Sequence, residues 1–62
     1  MFLELTLYQT EEKILININN VCAIFKGAGT TDILFGEEAY RVLESYEDIV
    51  NAIDNWDRLT KA

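Results

Sequence analysis

Val42-Leu43-Glu44-Ser45-Tyr46-Glu47-Asp48-Ile49-Val50 is the stretch that decides the fold. Its first residues read as the end of a strand, and Ser45 offers a hydroxyl N-cap to a helix starting at Tyr46. Glu47 and Asp48 fall in the first turn, where the helix dipole favours negative charge. Asp48 stands at the capping-box position with a shorter side chain than the usual glutamate. At 100° per residue, Tyr46, Ile49, Val50, Ile53 and Trp56 fall within an arc of about 120°, the width of a core-facing stripe. Asp57 enters the same arc, so the helix is expected to span 46–56. A longer helix would make Asp54 with Arg58, and Asp57 with Lys61, solvated pairs.

Upstream, the period changes from 3.6 to 2. Leu3, Leu5 and Leu7 alternate with Glu4, Thr6 and Tyr8, the pattern of a half-buried strand over 2–8. Gln9-Thr10-Glu11-Glu12 is short and polar enough for a hairpin loop, and Ile14, Ile16 and Ile18 mark a second strand over 13–18. Asn19-Asn20 suits a tight turn because asparagine tolerates positive φ. Further strands are expected at 21–26, 31–35 and 40–44, separated by Gly27-Ala28-Gly29-Thr30 and Gly36-Glu37-Glu38-Ala39. Such short connections make sequence neighbours pair. The expected fold is therefore α+β and mainly β: one small domain, 1–62, holding a five-stranded antiparallel meander and a C-terminal helix. The sheet is either open or rolled into a partly closed barrel.

A chain of 62 residues buries only about 60% of the surface its unfolded state exposes, so its stability is marginal. Cys22 is the lone cysteine and there is no histidine. An internal disulfide or a zinc site is thus excluded, and oligomerisation is the remaining common aid. Cysteine usage suggests the cytoplasm. Met1-Phe2-Leu3-Glu4-Leu5 lacks a basic n-region and is interrupted by Glu4, which predicts neither signal peptide nor anchor. No stretch approaches the roughly 20 apolar residues of a membrane span, so no membrane insertion is expected.

Eleven acidic against five basic residues give a net charge of −6. That charge repels phosphate backbones and removes the term that dominates nucleic-acid affinity. Direct DNA binding is not expected; the acidity serves solubility, with mimicry of nucleic acid toward a basic protein as the competing reading.

No motif carries catalytic chemistry. Gly27-Ala28-Gly29 resembles a phosphate loop in composition, but such loops need a helix N-terminus behind them and a strand follows here. Glu11-Glu12 and Glu37-Glu38 are adjacent on turns and point to water. Cys22 has no histidine to activate it, and its parity with Ile24 predicts a core thiol. No cofactor or metal is expected.

The stronger signal is an excess of apolar residues. One helix covers one sheet face, expected to carry Leu3, Leu5, Leu7, Ile14, Ile16, Ile18 and Ile33. By alternation the other face carries Phe2, Tyr8 and Leu15, joined by Leu34 and members of the Val21, Ala23 and Phe25 set, and mixed with Glu4, Thr6 and Asn17. Apolar patches of a few hundred Å² on small proteins commonly mark interfaces. Phe2, Tyr8, Leu15, Phe25, Leu34 and the helix residue Trp56 are the expected partner interface, unless the strands curl to bury both faces.

Leu5-Thr6, Leu15-Ile16-Asn17, Ile24, Thr31, Ile33, Gly36, Val42, Glu44-Ser45 and Ile49-Val50 together resemble the small FlbD/SwrD-type bacterial proteins associated with flagella. Similar small proteins occur among phage and prophage genes. The likeness covers most of the chain through short words: an opening Leu-Thr strand, an apolar-Asn step, Thr-x-Ile, a turn glycine, and Val-x-Glu-Ser before a helix. The chain departs from it in placing Gln9-Thr10-Glu11-Glu12 where that family has an Asn-Gly turn, and in running on through Trp56. The ordering is also loosely similar to the LytTR-type DNA-binding domain, which needs basic loops where these are acidic. The resemblance and the apolar excess together imply a non-enzymatic interaction module that self-associates and docks onto a larger bacterial or phage assembly.

Overall fold

A computed structural model describes the backbone of residues 1–61 and the side chains of residues 1–55. Five antiparallel strands, β1 (Phe2–Thr6), β2 (Lys13–Asn17), β3 (Ala23–Lys26), β4 (Thr31–Phe35) and β5 (Glu38–Val42), precede one helix, α1 (Tyr46–Lys61). The fold is α+β and mainly β, as the alternation and the Ser45 cap predict.

The strands form two sheets rather than one five-stranded meander. β1 pairs with β2, and β3, β4 and β5 pair in that order. The break lies between β2 and β3. Ile18–Asn20 winds into a 3-10 turn after the Asn17 side chain accepts the Asn19 N–H at 3.1 Å, a local bond that competes with strand continuation. The second strand therefore stops at Asn17, and the third starts only at Ala23. The two sheets meet at a single bridge, Leu7 with Val42, flanked by bonds from Tyr8 N–H to the Arg41 carbonyl and from Leu43 N–H to the Thr6 carbonyl, both 2.9 Å. They do not close into a barrel.

Two turns set the registers. Phe35 pairs with Glu38, so the β4–β5 loop is Gly36-Glu37 alone. Gly36 has φ +54, and positive φ at the first loop position is the type II′ pattern that matches strand twist. This two-residue turn starts β5 at Glu38, two residues before the expected position, and ends it at Val42. In the β1–β2 loop, Glu11 takes φ +60 while its N–H bonds to the Leu7 carbonyl at 3.0 Å. A side-chain-bearing residue there is strained by about 1 kcal/mol. Glu11→Gly is expected to raise the unfolding midpoint by about 2–6 °C in a thermal melt.

The core comprises Leu5, Ile16, Ile33, Val42 and Ile49, with Leu3, Ile14, Ile18, Val21, Ile24, Phe35 and Ile53 packed against it. Leu7 is half-buried and lies outside this cluster. Cys22 is exposed, not a core thiol. The alternation that pairs it with Ile24 does not extend that far back, because β3 begins at Ala23 and the preceding 3-10 turn rotates Val21 into the core instead. In α1, Ile49 is buried and Ile53 packs against the core, but Val50 is 40% exposed. The buried stripe is narrower than expected: it runs through Ile49 and Ile53, while Val50 lies beside it. The helix also runs past Trp56 to Lys61; 57–61 contain good helix formers and neither glycine nor proline to stop them. The Trp56 side chain lies outside the described residues.

Candidate interaction surface

The junction that opens the helix holds the two sheets in place. As β5 peels away after Val42, a continuing antiparallel ladder would send the Thr6 N–H to the Leu43 carbonyl. Glu44 Oε1 accepts it instead at 2.8 Å, and the Thr6 hydroxyl donates to Glu44 Oε2 at 2.9 Å. Lys13 Nζ donates to the same Thr6 hydroxyl oxygen at 2.8 Å, and the buried Thr31 hydroxyl donates to the Glu44 carbonyl at 2.8 Å. Glu44 thus ties β1, β2 and β4 to the strand–helix joint. Ser45 Oγ accepts the Asp48 N–H at 3.1 Å, completing the cap. Partial desolvation pushes the Glu44 carboxyl up, but the two Thr6 bonds, its own backbone and the Lys13 charge outweigh this and hold it below its ordinary value.

In the sequence Glu44 stands out only as part of the Glu44-Ser45 step before the helix. No local signal marks its role, since its partner Thr6 is 38 positions away. The Glu-Ser step thereby serves the fold, Glu44 bracing the joint and Ser45 capping the helix.

The register places Phe2, Leu15, Phe25 and Leu34 of the expected interface on the side away from the core. On the first sheet, Phe2 pairs with Asn17 and Glu4 with Leu15, which makes Phe2 and Leu15 diagonal neighbours within reach of each other. They are 59% and 66% exposed. On the second sheet, Ala23, Leu34 and Ala39 form one row, and Phe25, Asp32 and Arg41 the next. Phe25 is 56% exposed and Leu34 half-buried beside it. Tyr8 stands between the two groups, on a cleft of about 430 Å³ whose walls include Thr10, Asp32, Ala39 and Arg41. Arg41 Nε donates to Asp32 Oδ1 at 2.9 Å across the floor, and that bond raises the arginine's pKa further. Leu43 and Tyr40 add exposed apolar area that alternation alone does not single out.

The chain matches no protein-family model, no curated protein and no solved structure. Among the described residues no three His, Cys, Asp or Glu side chains converge to hold a metal ion. Gly27-Ala28-Gly29-Thr30 joins two antiparallel strands, with the Gly27 N–H bonded to the Thr30 carbonyl at 2.9 Å, so its first amide serves the turn. Cys22 Sγ accepts the Gly36 N–H at 3.3 Å. Lys26 pairs with Glu47 at 2.6 Å on the exposed surface; the bond from Lys26 draws the Glu47 carboxyl below its ordinary range. No described helix is long and apolar enough to cross a membrane.

Proposed function

We propose that this protein is a non-enzymatic interaction module of the cytoplasm that self-associates and docks onto a larger bacterial or phage assembly. The observation that carries this reading is the set of large apolar side chains, Phe2, Leu15 and Phe25, each more than half exposed on sheet faces the single helix leaves uncovered. Their chemistry suits burial against protein. The resemblance to FlbD/SwrD-type proteins supports the bacterial or phage setting. A non-catalytic role is supported by the residue types themselves: there is no histidine in the chain, and the one thiol is engaged by a backbone amide.

A second reading, an acidic inhibitor that mimics nucleic acid toward a basic protein, is favoured by one observation. Lys26 and Arg41 are each occupied by a carboxylate of this chain, so the net charge of −6 is carried by the remaining acidic residues. Salt separates the two. Light scattering across concentration should show an oligomer whose mass is unchanged between low and high ionic strength, since apolar contacts are not screened. A monomer at every concentration, binding basic proteins only at low salt, would replace the first reading with the second.

A further inference from the structure

We infer that two copies of this chain join through β2, edge to edge and antiparallel about Leu15, into one continuous sheet. The inference rests on the self-association proposed above and specifies its geometry.

β2 has a free edge whose bonding groups can be assigned. Ile18 N–H bonds to the Met1 carbonyl and Leu7 N–H to the Glu12 carbonyl, both 2.9 Å. These anchor the closely spaced pairs of the ladder at even-numbered β2 positions. By alternation, the N–H and C=O groups of Lys13, Leu15 and Asn17 point away from β1. The first sheet has two strands, so among the described residues no strand receives them. Leu15, at the centre, is 66% exposed.

Natural sheets blunt such an edge with proline, a bulge or a projecting charge. β2 has no proline, and its pairing with β1 is continuous from Lys13 to Asn17. Its only charged residue, Lys13, reaches back over its own hairpin to Thr6 Oγ and does not project past the edge. The strand is also nearly self-complementary. A two-fold axis at Leu15 sets Leu15 against Leu15 of the second copy and Lys13 against Asn17, matching all three outward residues at once. Each Glu11-Glu12 then runs beside the neutral Ile18-Asn19-Asn20 of the other copy. In a molecule of net charge −6, this is an approach that opposes no two carboxylates.

This pairing leaves the Phe25 and Leu34 face free for a different partner, so β-strand addition supplies the self-association and that face supplies the docking surface.

The test uses the full chain. Light scattering should give about twice the monomer mass of 7.1 kDa for the unaltered protein and for Phe25→Asp, and a single mass for Leu15→Pro. Proline at 15 removes an N–H that the β1 ladder does not use, a site where edge strands accept it. Should Leu15→Pro lose its circular dichroism, cysteine crosslinking decides. In a Cys22→Ser background, Leu15→Cys should oxidise to a disulfide dimer, because Cα atoms of a closely spaced pair lie about 5.5 Å apart. Lys13→Cys and Asn17→Cys should crosslink only when mixed. If Phe25→Asp dissociates the dimer while Leu15→Cys fails to crosslink, the β2 pairing is overturned and self-association stands. A monomer throughout, without crosslinks, overturns both.

Discussion

Glu44→Ala is expected to lower the unfolding free energy by about 3 kcal/mol, read from urea or thermal denaturation. The substitution removes the carboxylate that accepts the Thr6 N–H where β5 leaves β1, leaves the Thr6 hydroxyl without its acceptor, and takes the negative charge from near Lys13, whose own bond to the Thr6 hydroxyl oxygen remains. Bonds to a charged group contribute roughly 1.5–3 kcal/mol, and an orphaned buried donor costs about 1–3 more. Because water reaches part of this site, the figure sits near the low end of that sum. In a domain this small the total stability is only about 3–9 kcal/mol, and the midpoint should fall by about 12–24 °C. Glu44→Gln, which keeps the shape and one acceptor but not the charge, should cost about half as much. A loss under about 0.5 kcal/mol for Glu44→Ala would mean that the Thr6 N–H is served by water and that the joint is not held by this side chain.

The same residue sets an acid limit. Its folded pKa is depressed below the ordinary 4.5, so the unfolded chain binds the proton more tightly. The stabilisation is fully present above that ordinary value and is lost as pH falls through the lower folded value. Stability of the unaltered chain should therefore decline below about pH 5, and the Glu44→Gln variant should show a shallower slope across that window. Equal slopes would assign the acid transition to other carboxylates.

Ile33→Ala is the second large effect, with an expected loss of about 2–4 kcal/mol. Ile33 is fully buried, sits on the central strand of its sheet between Ile24 and Tyr40, and belongs to the same cluster as Leu5, Ile16, Val42 and Ile49. It is where both sheets and the helix meet, so the cavity has no mobile edge to collapse into. Ile24→Ala, in the half-buried neighbour on edge strand β3, should cost roughly half as much, because solvent already reaches it. The reverse order would place the centre of the core at the β3–α1 contact.

What could be read from the chain follows the range of the interactions involved. Period-two runs at Leu3-Leu5 and Ile14-Ile16, the Ser45 cap and the outward placement of Phe2, Leu15 and Phe25 depend on neighbours a few residues away, and these are legible. The split into two sheets was not, because it turns on one Asn17 side chain choosing the Asn19 amide over strand continuation. The start of β5 depended on Gly36 taking positive φ at the first position of a two-residue loop, where a four-residue turn reads equally well from composition. Cys22 misled through parity: alternation holds only inside a strand, and β3 begins one residue later. Glu44 was illegible for a different reason. A glutamate standing in for a strand carbonyl is recognised only once Thr6 is known to lie beside it.

On the proposed reading, exposed apolar strands in a marginally stable chain are stabilised by association. Anything that binds the folded state raises the midpoint as concentration rises. The decisive measurement is the thermal unfolding midpoint over a hundredfold range of protein concentration, at low and at high salt. The midpoint should climb by several degrees with concentration, by the same amount at both salt levels. A midpoint independent of concentration would show that the chain is stable alone and that its apolar faces do not join copies of it.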